Sequence, residues 1–124
     1  MSLRLTGGEF RGRIIQTPKH QHTRPTQARL RQALFNSIQT LIPDARILDL
    51  FAGSGALGFE ALSRGASQAV FVEDAKSTVR LIERNAQDLK VLDRSVIWAD
   101  AVDREYRGGQ SAFWKRVIAH VASQ

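Results

Sequence analysis

The chain has 124 residues, 43% of them hydrophobic, enough for one small domain with a real core. It lacks any apolar run near the roughly 20 residues of a membrane span and any signal-like N-terminal stretch. It also has no Cys for disulfides or thiolate metal sites, so the expected setting is cytoplasmic, without a metal centre. The formal net charge is +6, which raises the question of a polyanionic partner.

The imbalance lies at the start. Residues 1–31 hold Arg4, Arg11, Arg13, Lys19, Arg24, Arg29 and Arg31 against a single acid, Glu9, with His20 and His22 in the same stretch. Residues 32–124 balance eleven basic against eleven acidic side chains. A basic stripe beside a neutral domain suits nucleic acid. The plainer alternative is a solvated face that keeps the protein soluble.

Leu3–Thr6 and Arg13–Thr17 can pair as a hairpin across a loop containing Gly7, Gly8 and Gly12. Lys19–Thr23 is a polar loop closed by Arg24-Pro25-Thr26. Thr26 is a good N-cap, and Leu30, Leu34, Ile38 and Leu41 follow at helical spacing beside Phe35 and Ile42. This predicts a helix from about Gln27 to Leu41, stopped by Pro43-Asp44. Arg46–Phe51 is mostly apolar, as a buried central strand of a parallel sheet would be.

A helix over Ala56–Ser63 ends at Gly65, a natural C′ residue. Gln68–Glu73 is the second strand. Lys76–Leu89 is the second helix, with Val79, Leu81, Ile82 and Ala86 on an apolar face, and Ser95–Trp98 is the third strand. Beyond it, Asp103–Gln110 is polar, and Ser111 could cap a last helix bearing Phe113, Trp114, Val117, Ile118 and Val121, best read as core-packing. The β-α-β-α-β order implies an α/β, Rossmann-like sheet with right-handed crossovers. The expected organisation is a basic hairpin and arm over 1–26, a cofactor-binding core over 27–102 and an atypical tail over 103–124.

Asp49-Leu-Phe-Ala-Gly-Ser-Gly-Ala-Leu-Gly58 links the first parallel strand to its helix, and Gly53, Gly55 and Gly58 satisfy G-x-G-x-x-G. Such a loop lets backbone approach a nucleoside closely. Glu73 and Asp100 fall at the ends of the next two strands, the edge where ligands bind on these sheets. Two cofactors fit: a dinucleotide, with its pyrophosphate at the helix N-terminus, and S-adenosylmethionine, which has no phosphate. Asp49 separates them. Its carboxylate repels a pyrophosphate and attracts an ammonium and a sulfonium. Glu73 suits the ribose hydroxyls of either, and Asp100 could accept the adenine amino group. The plainer alternatives are a strand-end acid capping backbone N–H groups for Asp49, and solvated strand ends for Glu73 and Asp100.

The run Asp49–Ala66 closely resembles the cofactor loop of the bacterial 16S ribosomal RNA guanine-N2 methyltransferases of the RsmD type. Gly8-Glu-Phe-Arg-Gly-Arg13, Thr23-Arg-Pro-Thr26 and Arg31-Gln-Ala-Leu-Phe-Asn36 resemble that family's N-terminal signature. The resemblance spans about residues 3–102. It implies that Asp49, Phe51, Gly53 and Gly55 line the methionine and adenosine of S-adenosylmethionine, that Glu73 binds the ribose, and that Asp100 and Ala101 flank the adenine. Arg11, Arg13, Arg24 and Arg29 would lie toward ribosomal RNA of the small subunit or the site mouth.

The family's catalytic Asp/Asn-Pro-Pro-Tyr/Phe segment has a physical rationale. Acceptors orient a poorly nucleophilic amine, and an aromatic ring stacks on the extruded base. This chain has only Pro18, Pro25 and Pro43 and no Pro-Pro pair, so its catalytic residues are unassigned. Tyr106, its only tyrosine, is best read as an exposed loop residue. Three explanations stand: a fragment or truncated product, a divergent member completed by a partner, or a protein that binds cofactor or RNA without turnover. An incomplete sheet also leaves an apolar edge that invites homo-oligomerisation. The expected function is methylation of guanine N2 in 16S ribosomal RNA. The alternatives are a non-catalytic RNA- and cofactor-binding remnant and a NAD-dependent oxidoreductase.

Overall fold

A computed structural model describes residues 2–19, 25–50 and 52–99. Strands β1 (Ser2–Arg4) and β2 (Ile14–Gln16) form an antiparallel hairpin with Leu3 opposite Ile15. Helix α1 (Pro25–Ser37) follows, then β3 (Arg46–Asp49), α2 (Ala56–Ser63), β4 (Gln68–Glu73), α3 (Lys76–Asp88) and β5 (Ser95–Ala99). The last three strands are parallel in the order β3-β4-β5, with Leu48 opposite Val70 and Val70 opposite Val96. This is the expected Rossmann-like α/β arrangement, a three-stranded part of a doubly wound sheet preceded by a hairpin and a helix.

The burial pattern follows from composition. Ala69–Val72 of β4 is buried throughout, as a strand with neighbours on both sides and cover on both faces requires. Every residue of α2 from Gly58 to Ser63 is buried, which suits its mostly apolar sequence. α3 is amphipathic: Ile82 and Ala86 point inward while Glu83 and Arg84 are exposed.

Two expectations change. α1 begins at Pro25 rather than Gln27, so Thr26 lies within the helix instead of capping it. Proline suits the first turn, where its missing N–H leaves no bond unmade. The helix stops at Ser37, whose hydroxyl donates to the Leu34 carbonyl at 2.6 Å. The leucine stripe that marks this helix does not face the core. Leu30 and Leu41 are 66% and 69% exposed, and α1 instead buries Phe35 and Arg31.

The second change concerns β3. The expected central strand through Phe51 ends at Asp49, with Phe51 outside the described residues. Among the described strands β3 pairs with β4 alone, so it stands at an edge, and Leu48 is partly uncovered.

The hairpin is fastened to the sheet domain. Leu5 and Ile15 share one hydrophobic core with Phe59, Phe71 and Ile82. Glu60 of α2, fully buried, accepts the N–H groups of Thr6 and Gly7 and pairs with Arg31 at 2.9 Å and Arg64 at 3.0 Å. Ser63 accepts the Phe10 N–H and donates to the Gly7 carbonyl. Gly8 is required here: its φ is +80°, and a Cβ would lie 2.0 Å from the Ser63 carbonyl oxygen. The expected tail helix of 111–121 and Tyr106 lie outside the described residues, as do His20 and His22.

Candidate functional site

The loop between β3 and α2 is held from three directions. Ala52 donates its N–H to the Val72 carbonyl at 3.1 Å and so prolongs the strand contact with β4. The Gly53 N–H donates to Glu73 Oε1 at 3.0 Å. From α3, Asn85 Nδ2 donates to the Ser54 carbonyl at 3.3 Å. The Gly55 N–H turns back to the Ala52 carbonyl at 2.7 Å, and Gly55 then opens α2 in the left-handed conformation, φ 88°.

The glycines divide their work. A Cβ on Gly55 would stand 2.5 Å from the Phe59 ring, and one on Gly58 would stand 2.2 Å from the Phe71 ring. Both therefore let α2 settle on the Phe59–Phe71 pair, whose ring centroids are 4.8 Å apart. Gly53, φ 53°, is the glycine whose backbone sits against the strand-end acid.

Asp49 and Glu73 end adjacent parallel strands, Asp49 in register with Phe71 two residues before Glu73. Their carboxylates differ in state. Glu73 accepts from Gly53 and, through Oε2, from the Ala75 N–H at 3.0 Å. A carboxylate has about four acceptor positions, so capacity remains for ligand hydroxyls. Asp49 is buried, and its Oδ2 has no hydrogen-bond partner. Burial pushes its carboxyl up to about 6, the Gly58 N–H works against that rise, and the Glu73 charge adds to it.

This geometry bears on the two cofactors that the sequence left open. An orphaned carboxylate inside a glycine loop calls for a cation, whereas a pyrophosphate calls for free N–H donors. The Gly53 and Gly55 N–H groups are already taken, by an acid side chain and a carbonyl. Asp49 Oδ2 lacks the partner that a cationic group would supply, and Glu73 keeps acceptor positions for hydroxyls, so these residues are compatible with S-adenosylmethionine. Among the described residues no group of His, Cys, Asp or Glu is placed to hold a metal ion.

The structure brings Asp49, Gly53, Gly55 and Glu73 to one sheet edge. Phe51, Asp100, Ala101 and Arg24 lie outside the described residues. Arg11 and Arg13 are exposed near the hairpin turn, and Arg29 is exposed on α1. Arg13 donates to the Asp88 carbonyl at 2.9 Å, at the end of α3 remote from Glu73. Arg31 is spent internally on Glu60, so the basic segment presents less charge than its composition suggests.

Sequence reasoning missed Glu60 and Asn85. Each is a polar residue on a face otherwise apolar, Glu60 within Ala56–Ser63 and Asn85 beside Ile82 and Ala86. That mismatch was the available signal, because buried polar groups are kept only when partnered.

Residues 3–113 match the family described as conserved hypothetical protein 95. The ribosomal RNA small subunit methyltransferase D of Escherichia coli K12 is 41% identical over 100 residues, covering 81% of this chain and 50% of that protein. The protein of the same name from Haemophilus influenzae is 41% identical over 88 residues, covering 71% of this chain and 46% of that protein. A solved E. coli structure, provisionally named a methyltransferase, superposes with a TM-score of 0.73 at 36% identity, over 83% of this chain and 55% of that one. The chain spans about half the length of the curated relatives it matches.

Proposed function

Since this chain belongs to the family described as conserved hypothetical protein 95, we propose that it supplies the cofactor-binding part of an S-adenosylmethionine-dependent methyltransferase acting on guanine N2 of 16S ribosomal RNA. The observation that carries the cofactor half is the buried Asp49 carboxylate, with Oδ2 unpartnered beside Glu73 and the glycine loop. Its charge is stabilised when an ammonium or sulfonium takes the place of the missing partner. Glu73 orients the ribose through the acceptor positions that Gly53 and Ala75 leave open. Phe51, Asp100 and Ala101 complete the adenosine contacts in this reading, and Arg11, Arg13, Arg24 and Arg29 meet the RNA. The RNA half rests on the relatives' names and the basic N-terminal segment.

When bound, the cofactor supplies an electrophilic methyl group. The protein's part is to hold it in a fixed place and to exclude water from its charged end. The 124 residues contain no Pro-Pro pair, so the proposal assigns none of them to orienting the amine.

Titration calorimetry with S-adenosylhomocysteine and with NAD tests the cofactor. The expected result is binding of the first and not of the second; NAD binding alone would overturn the reading. Methyl incorporation into under-methylated small ribosomal subunits tests transfer. Cofactor binding without incorporation would leave a cofactor- and RNA-binding role and remove the enzymatic one.

A further inference from the structure

A cavity lies away from the glycine loop, between β2 and α3. Its position follows from two contacts. Arg13 donates to the Asp88 carbonyl, and three residues later Gln16 exchanges hydrogen bonds with Asn85, its N–H to Oδ1 at 2.9 Å and its carbonyl from Nδ2 at 3.0 Å. The chain therefore runs antiparallel to α3, and residues 17–19 continue toward the helix start, just after Glu73. The cavity encloses about 740 Å³, and its lining includes Thr17, Lys19, Ser77, Arg84 and Asp88. Ser77 and Asp88 are about 16 Å apart along the helix at 1.5 Å per residue, so this is a groove leading to the cofactor edge.

Its chemistry is that of an anion site. Lys19 and Arg84 are exposed, and neither forms an ion pair among the described residues. Thr17 is only 5% exposed, yet its hydroxyl has no hydrogen-bond partner. A buried hydroxyl left unbonded costs stability, and a ligand acceptor removes that cost. Ser77 and Thr78 add two further hydroxyls. Asp88 is the one acid, at the far end, where the Arg13 guanidinium lies against its carbonyl. The described lining has no aromatic ring on which a base could stack. Phosphates of nucleic acid are met by this set of groups, Arg, Lys, Ser and Thr.

We propose that the groove between the end of β2 and α3 binds the phosphate backbone of an RNA strand and leads it to the cofactor edge. The proposal rests on the reading of this protein as RNA-directed and extends the basic N-terminal segment, through Lys19, onto a surface of α3 that its composition did not indicate. Arg84 belongs to α3, and Thr17 carries no charge.

The test uses fluorescence anisotropy with a labelled single-stranded RNA over a range of salt concentrations, and calorimetry with S-adenosylhomocysteine. The double variant Lys19→Ala/Arg84→Ala is expected to weaken RNA binding by roughly tenfold or more and to make the salt dependence shallower by about 1.4, about 0.7 for each of two lost phosphate contacts. Affinity for S-adenosylhomocysteine stays unchanged. Arg80→Ala, on an exposed α3 residue outside the groove lining, is the charge control and leaves RNA binding near wild type. Thr17→Val separates ligand binding from packing: it weakens RNA binding while the melting temperature holds or rises.

The groove is ruled out if the double variant binds RNA like wild type or if Arg80→Ala is equally damaging. It is also ruled out if S-adenosylhomocysteine binding falls in place of RNA binding, since the groove would then hold the nucleoside. A wild-type protein that binds S-adenosylhomocysteine but no RNA overturns the RNA-directed reading itself, a result distinct from the others.

Discussion

Two buried carboxylates have opposite pH dependences, because one has an oxygen without a partner and the other is fully partnered. Asp49 has its carboxyl raised from 3.8 to about 6, first by burial and further by the Glu73 charge. Between those values the folded chain holds a proton that the unfolded chain has lost. Folding stability therefore falls as pH rises through that window, by about 3 kcal/mol in full at 1.36 kcal/mol per unit. Asp49→Asn is expected to remove that dependence, to stabilise the free chain at neutral pH by up to about 3 kcal/mol, and to abolish S-adenosylhomocysteine binding. Urea denaturation over pH and calorimetry measure the two effects; a variant that loses both stability and binding would show Asp49 to be structural. In the wild type, cofactor affinity should fall by about tenfold per pH unit below about 6, where Asp49 takes up a proton.

Glu60 behaves in the reverse sense. Burial alone would raise its carboxyl, but the Thr6 N–H and the Arg31 and Arg64 guanidinium groups outweigh burial and hold it below the ordinary 4.5. Its contribution is complete above that value and is lost as pH falls through the lowered one. Glu60→Ala leaves Arg31 buried without its counter-charge and should cost about 3–5 kcal/mol in urea denaturation. A change within 0.5 kcal/mol would be that of an ordinary surface site and would contradict the assigned role.

At the scale of elements, α2 and β4 were legible to the residue, and α3 to within one residue at its end, because their apolar patterns are strong and glycines flank α2. The facing of α1 was not legible. Leu30, Leu34, Ile38 and Leu41 mark a helix, yet which stripe turns inward depends on what lies beside it, and in this structure Phe35 and Arg31 meet α2 and its partners. Gly58 teaches the same lesson. Its spacing suggested ligand approach, whereas the Phe71 ring beneath it gives the physical reason. Gly58→Ala would gain about 1 kcal/mol of helix propensity in isolation. Here it is expected to lose about 1–3 kcal/mol through overpacking, with partial recovery in Gly58→Ala/Phe71→Leu. A double-mutant cycle with no coupling would reject the contact.

For the whole molecule, the described sheet leaves β3 with one partner strand and Leu48 uncovered at that edge, while Leu30, Leu34 and Leu41 are exposed on and after α1. Exposed apolar surface and an unpaired strand favour association. This 124-residue chain is expected to sediment with a mass that rises with concentration. A clean monomer that binds no hydrophobic dye would show those surfaces to be harmless.

The sequence by itself determined the order of strands and helices, the glycine loop with Asp49 and Glu73 at one sheet edge, and the basic N-terminal segment, because spacing and composition are local properties. Tertiary structure decided which charges remain available. It buried Arg31 against Glu60, left Asp49 Oδ2 and the Thr17 hydroxyl without partners, and laid residues 16–19 along α3 with Lys19 and Arg84 lining one groove. Burial and partnership are set by residues distant in the chain, and they determine whether a charge holds the fold together or is left to bind a ligand.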